Sequence, residues 1–467
     1  MKHSVTLDKE KCKGCTTCMK HCPTEAIRVR RGRARIIKER CIDCGQCIRV
    51  CPHHAKKAVC DSFDRLSEYD YTVALPAPSF YGQFRNLDDI NIVLQALIDI
   101  GFDAVFEVSR AAELISGLTR KKYDELKSAR SGPIISSACP AVVRLICMRF
   151  PKLIPNLLNM IAPVELAAIL ARKEAVEKTG LQPERIGVFF ISPCPAKVTA
   201  GRHPLFLDKR VVDGTLSMAD IYKRVLGPMK KVKDPGSLSC SGIIGIGWAR
   251  AGGESSALLN DHHLAVDGIS NIIDILESVE NGMLPEVEFL ELNACTQGCV
   301  GGCLTVENPY TAKSRIRRLM KYLPVSRNNA GDGHEDIIMT SSDKMPEYVP
   351  VWQLSEDREQ AMKIYANIVE LQQRLPGLDC GSCGAPSCRA LAEDVAIGFA
   401  SEEDCIFRMR ERMQYMAEGG DADEYLPPPF RRTSVSEDPS DSDSETGSDN
   451  DTAMDDRGDE DQGRETE

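Results

Sequence analysis

Between residue 70 and about 325, short apolar runs alternate with longer stretches whose apolar positions recur every three or four residues. The runs YTVALPA (71–77), DAVFEVS (103–109), GPIISSA (132–138), RIGVFFIS (185–192) and EVEFLELNA (286–294) read as strands. Stretches such as LDDINIVLQALIDIG and PVELAAILARKEAVEKTG carry the stripe of an amphipathic helix, the second closed by Gly180. Strands alternating with helices predict a parallel α/β sheet. Ligands of such sheets collect at the carboxyl ends of the strands. Cys139, Cys194 and Cys295 each follow a predicted strand, so the pattern puts three distant thiols on one common edge.

The flanks differ. Residues 1–60 hold two copies of one cysteine pattern, and the central segment occupies 70–325. A polar stretch around SRNNAGDGHED marks a linker over 326–351, and a small helical unit with four cysteines spans 352–417. Within that unit EDREQAMKIYANIVELQQRL is expected to be a core helix. Residues 418–467 are acidic, almost free of apolar side chains and expected to be disordered. The expected fold is therefore multidomain: an α+β ferredoxin-like start, a central α/β domain, a small helical unit and a disordered tail.

Charge changes this picture only locally. From Thr433 onward there are 14 Asp/Glu against 2 Arg, a net of −12, so the total of −11 leaves about +1 on the rest. The first 60 residues hold 15 Lys/Arg against 5 Asp/Glu. A basic segment can mark nucleic-acid binding, but eight regularly spaced cysteines argue instead for cations around an anionic metal site or facing an acidic partner. The 20 cysteines come without an apolar leader, which points to metal ligation in a reducing, low-oxygen cytoplasm. With no run of ~18 uncharged apolar residues, no membrane span is expected.

Cys12, Cys15, Cys18 and Cys22-Pro23 follow C-x2-C-x2-C-x3-C-P, and Cys41, Cys44, Cys47 and Cys51-Pro52 repeat it. This is the two-cluster bacterial ferredoxin run, in which the fourth cysteine ligates the other cluster. Cys51 is expected to complete the first 4Fe–4S cluster and Cys22 the second. Gly14 and Gly45 are expected to let the backbone close round the sulfides. Zinc, which favours paired C-x2-C units with longer gaps, fits less well.

Four motifs in the α/β segment resemble those of the iron-only hydrogenases: Ala77-Pro78-Ser79, SSACP around Cys139, SPCPAK around Cys194 and Lys197, and LNACTQGCVGGC around Cys295 and Cys299. The resemblance covers roughly residues 1–325 and implies an oxidoreductase acting on H2. It implies that Cys139, Cys194, Cys295 and Cys299 hold a central cubane, with Cys299 bridging to a two-iron unit carrying CO, CN and a dithiolate. Lys197 would hydrogen-bond a cyanide, Ala77 and Pro78 would line the pocket, and GIIGIGWARAGGE (242–254) would pack beside it. The implied partners are an electron-transfer or redox signalling protein, hydrogenase maturation proteins, H2 and protons.

Departures from the family qualify that activity. Ala138 stands where the family usually has the cysteine that passes protons, and alanine carries none. After Glu113 the paired carboxylates of the family are not evident, and Ser192 replaces a customary Met. Cys303 is an additional thiol. Slow turnover and a redox- or hydrogen-sensing role are expected; the alternatives are an electron hub or a scaffold without the two-iron unit.

Cys380, Cys383, Cys388 and Cys405 form a further pattern resembling small four-iron domains, with Pro386 expected in the first turn of the helix RALAEDVAIG. Four clusters are expected in all: two N-terminal, one central and one C-terminal. Cys60, Cys147 and Cys240 match no ligand spacing and are expected to be buried, and the pair His262-His263 to lie at the surface.

Overall fold

The computed structural model describes residues 3–128, 131–329, 344–351 and 354–416, the side chains of 414–416 excepted. The acidic tail and most of the linker lie outside the described residues.

The N-terminal unit is built from β1 (Val5–Leu7), β2 (Ile27–Arg30), β3 (Arg33–Ile36) and β4 (Lys56–Ala58). β1 pairs antiparallel with β4, and β2 with β3. Arg31 and Gly32 join β2 to β3 with positive φ of 50° and 73°, the handedness a two-residue hairpin turn needs.

The central strands are β5 (Tyr71–Pro76), β6 (Ala104–Val105), β7 (Ile134–Ile135), β8 (Ile186–Ser192), β9 (Gly214–Ser217), β10 (His263–Asp267) and β11 (Phe289–Asn293). They form two parallel sheets rather than one, in the orders β6-β5-β8-β9 and β10-β11-β7. Every residue of β8 is buried, which is why it is a continuous apolar run without alternation. DAVFEVS is a strand only at Ala104–Val105, at a sheet edge. A helix, Val108–Ser128, takes over its end because Val108, Ala111, Ile115 and Leu118 recur at helical spacing and are all buried. Strands β9 and β10 are absent from the sequence expectation, being short or half exposed.

In the C-terminal unit, helix Arg358–Arg374 buries only Ile368 and Leu371, while Met362 and Tyr365 are 66% and 56% exposed. The expected core helix therefore lies largely at the surface. Ser387 caps the next helix, Cys388–Ala396, accepting from the Ala390 amide, so Pro386 precedes the cap rather than entering the first turn.

This unit packs on the ferredoxin-like one. Val29 N donates to Gly384 O at 2.8 Å. Gly384 has φ +80°, and a Cβ there would stand 2.0 Å from Val29 O, so only glycine permits the approach. Arg28 Nε and Arg30 Nη2 both donate to Asp394 Oδ2 at 2.7 Å, and Arg40 pairs with Glu393 at 3.3 Å. Asp394→Ala leaves the buried Arg28 and the half-buried Arg30 without their carboxylate. The expected cost is ~3–5 kcal/mol in denaturant melting of this unit, and a loss below ~1 kcal/mol would mean that the pair is screened like a surface bridge.

Candidate metal centres and the adjoining cavity

Eight N-terminal thiols separate into two cavities. Cys12, Cys15, Cys18 and Cys51 line one, and Cys22, Cys41, Cys44 and Cys47 line the other. The fourth cysteine of each run thus joins the other run. Backbone amides of Ala34, Ala26 and Ala55 point at Cys12, Cys22 and Cys51 Sγ at 3.4, 3.3 and 3.3 Å, donors suited to thiolate. Lys56 is 3% exposed and its Nζ has no partner among the described residues. Its charge acts on Cys18, Cys47 and Cys51. A buried ammonium without a counter-charge is costly, and a thiolate-held cluster would supply one. Among the described residues no three His, Cys, Asp or Glu converge closely enough for a single ion; a multi-atom core keeps its thiolates further apart.

Gly45 has φ +75°, and a Cβ on it would lie 2.4 Å from Cys303 Sγ. The glycine is needed for the approach of the central domain, not only for closure round sulfide. Cys44 packs with Cys139 and Cys194 in the same place, so the second N-terminal set adjoins the central one.

Cys139, Cys194 and Cys295 follow β7, β8 and β11, and so stand at the carboxyl ends of two sheets rather than on a single edge. The charge of Cys139 acts on Cys194, Cys295 and Cys299, and that of Cys299 acts on Cys194. Burial pushes Cys194 up to about 12 and holds Cys295 well above the ordinary thiol value. Lys197 follows Cys194 in helix Pro195–Arg202 and donates from Nζ to Ala138 O at 3.1 Å. Burial opposes its charge, but the thiols of Cys299, Cys194 and Cys139, with Glu165, outweigh it and raise its pKa. Neutral thiols would give Lys197 no counter-charge; thiolates fixed by a metal core resolve that conflict.

Beside these thiols a cavity is lined by Ala77, Pro78, Ser79, Ala138, Lys197 and Cys299, among others. Ser79 is fully buried, and its hydroxyl has no partner among the described residues. An orphaned donor there suits a ligand with acceptor atoms. Trp248, just after the short helix Ile243–Gly247, and Glu254, in the short helix Gly253–Ala257, also line the wall.

The carboxylates that were not evident in sequence lie elsewhere. Glu113 is consumed structurally, accepting from the Gly242, Arg327 and Asn328 amides. Glu254 and Glu291 line the cavity instead. Burial and then the Glu291 charge raise Glu254 to about 8. Ser136 Oγ donates to Glu254 Oε2 at 2.5 Å and accepts from the Ala138 amide at 3.2 Å. Glu291 takes donors from Gly252 N, Ser255 N and Asn293 Nδ2 at 3.0, 2.8 and 2.8 Å. The signal in sequence was slight: Glu291 is a charge inside an apolar strand.

In the C-terminal unit Cys383 and Cys405 are buried, with Cys388 packed against them and Cys380 at the surface. The charges of Cys405 and Cys380 act on Cys383, and Arg30 Nη1 donates to Cys383 O at 2.9 Å. Cys147 is buried, but Cys60 is partly exposed and Cys240 exposed, against expectation. His263 is half buried in β10, and only His262 is exposed.

Comparison with known proteins agrees along the chain. Residues 70–226 and 252–303 match the iron-only hydrogenase large subunit, C-terminal domain. Residues 4–52 match a 4Fe-4S dicluster domain, and 375–407 a putative Fe-S cluster domain. The periplasmic iron hydrogenase large subunit of Nitratidesulfovibrio vulgaris is 27% identical over 238 residues, 47% of this chain and 56% of that one. The match thus spans little more than half the relative's length. An FeFe-hydrogenase structure describing stepwise H-cluster assembly superposes with TM-score 0.47 at 15% identity, covering 62% of this chain and 96% of that chain. A variant FeFe-hydrogenase of Chlamydomonas reinhardtii gives 0.46 at 16% identity, covering 60% of this chain and 94% of that chain. No helix among the described residues is long and apolar enough to cross a membrane. With a 4Fe-4S dicluster match before it and an Fe–S match after it, the central segment of this chain is similar to the C-terminal domain of the iron-only hydrogenase large subunit.

Proposed function

We propose that the chain binds H2 at the Cys299–Lys197 cavity, turns it over slowly and serves as a redox or hydrogen sensor. The observation that carries this reading is the convergence of Cys299, Lys197, Pro78 and the unpartnered Ser79 hydroxyl on one space. That is more polar capacity than four cubane thiolates need. Cys139, Cys194, Cys295 and Cys299 would hold the central 4Fe–4S core, and Cys299 would bridge to a two-iron unit with CO, CN and dithiolate ligands. When bound, that unit supplies the site at which H2 is cleaved or formed.

The chain's own groups do the rest. Lys197 presents its ammonium to an anionic ligand, a charge-assisted contact, while Ala77 and Pro78 exclude water. Ala138 holds no proton, so Glu254, kept neutral by burial and by Glu291, stores it, with Ser136 between that carboxyl and the Ala138 amide. With Ala138 unable to carry a proton, one buried carboxyl in the cavity wall favours slow turnover over bulk catalysis. With clusters held by these cysteines, the Cys44–Gly45 loop packed on the central thiols and the Val29–Gly384 contact would bring neighbouring redox centres close enough for electron exchange. Two N-terminal clusters, one central and one C-terminal complete this reading.

A redox protein exchanges electrons with the chain, maturation proteins install the two-iron unit, and nucleic acid has no part. A reducing cytoplasm suits a chain with 20 cysteines, sixteen of them in cluster patterns, in contrast to the periplasmic relative. The test is anaerobic production with the hydrogenase maturation proteins and infrared spectroscopy in the CO and CN stretching region. Sharp bands that shift under H2 are expected. A blank spectrum from protein with loaded cubanes would leave an electron-transfer or scaffold protein on a hydrogenase frame.

A further inference from the structure

Helix Pro140–Arg149 starts on Cys139 and carries Arg144 little more than one turn on, its side chain only 3% exposed. Arg144 Nη1 donates to Asp43 Oδ2 at a long 3.5 Å. Asp43 lies between Cys41 and Cys44 and is already engaged. Its Oδ1 accepts from the Ser4 and Val5 amides at 3.0 and 3.1 Å, and its Oδ2 from the Thr199 hydroxyl at 2.7 Å. Arg144 Nε and Nη2 are buried and meet no acceptor among the described residues. A guanidinium cannot shed its charge to escape this position. Besides burial and Asp43, the charges that act on it are those of Cys41, Cys194 and Cys139. Cys44, Cys139 and Cys194 pack together in the same seam.

We infer that Arg144 is a positioning cation shared by two clusters. Its Nε and Nη2 hydrogens donate to sulfur of the cluster on Cys22, Cys41, Cys44 and Cys47 and of the cluster on Cys139, Cys194, Cys295 and Cys299. The planar fork suits this, since its donors leave in fixed, different directions. A cation and charge-assisted donors at the sulfurs favour the more negative, reduced state of each cluster. Both potentials are therefore held up together, and one electron passes between the clusters with no bond made or broken. The inference rests on the cubane reading of these eight cysteines and not on the two-iron unit.

The experiment is a potentiometric titration, followed by electron paramagnetic resonance, of the full chain with cubanes loaded and no maturation proteins. In Arg144→Gln the two adjoining clusters should reduce at lower potential by about tenfold or more in equilibrium constant, ~59 mV per tenfold for one electron. The Cys12/Cys15/Cys18/Cys51 and C-terminal clusters should stay in place as internal references. Arg144→Lys should recover part of the shift. Unmoved potentials in a fully loaded Gln variant would overturn the proposal, as would equal shifts in Gln and Lys. Should the Gln variant fail to load, nitrogen-15 arginine labelling of the unmodified chain asks the same question. A coupling to the reduced clusters that Arg144→Lys loses supports the role, and no such coupling overturns it. An unmodified chain that shows no cubane signal would instead sink the cluster reading itself.

Discussion

Lys197→Met is expected to leave the cubane absorbance intact and to strip the CO and CN bands from the infrared spectrum. Methionine keeps the length and apolar body of the side chain, so the helix Pro195–Arg202 and the neighbouring Cys194 retain their packing. What is lost is the ammonium. It has three donors, and the described residues supply one acceptor, Ala138 O at 3.1 Å. The remaining capacity is available to an anionic ligand in the cavity. A hydrogen bond to a charged group contributes ~1.5–3 kcal/mol, about tenfold to a hundredfold in retention. Since burial alone would discharge the lysine, the bare cavity should not hold the unit by packing. Bands of undiminished strength in the variant would show that Lys197 balances only the thiolates.

Glu254→Gln is expected to lower H2 turnover by ~10²–10⁴-fold, the range for loss of a positioned acid–base group. Glutamine keeps the shape and an acceptor for the Ser136 hydroxyl but moves no proton. The pH profile gives a second readout. Glu254 is raised from 4.5 to about 8, so it is a loaded donor below that value and empties above it. Unmodified protein should lose activity as pH rises through about 8, and the variant should lack that limb. Stability follows the same sign. Between 4.5 and about 8 the native state holds a proton that the unfolded chain has released, so stability falls as pH rises across that window. Urea midpoints measured against pH should show this slope in the unmodified chain and a weaker one in Glu254→Gln. Ala138→Cys should raise turnover, and less so when combined with Glu254→Gln. An unchanged rate and profile in Glu254→Gln would assign proton movement to another route.

The ligand runs were legible because three thiols of each N-terminal set lie within seven residues of one another, where chain geometry alone brings them together. The helical takeover at Val108 was not. A short apolar run is compatible with strand or helix, and its place at a sheet edge decided in favour of an early end. A cysteine outside any ligand pattern is usually buried, yet Cys240 sits beside the surface residue Leu238 and is exposed. The cavity carboxylates were not legible for a different reason. Glu113 is the carboxylate nearest the expected place in sequence, but the fold spends it on the Gly242, Arg327 and Asn328 amides, whereas Glu254 and Glu291 reach the cavity from later segments.

The sequence by itself determined the class of chemistry, the thiols available for it and the alternation of strands and helices, since all three follow from short-range spacing and side-chain type. Only the tertiary structure decided that two parallel sheets, rather than one, present Cys139, Cys194 and Cys295. It also decided that Gly45 admits Cys303, that Glu254 stands behind Ala138 through Ser136, and that Arg144 is buried with two donors to spare. These are contacts between residues tens to hundreds of positions apart, fixed by strand order and by the docking of one unit on another. No local pattern encodes them, because burial and charge pairing belong to the neighbours a residue acquires on folding.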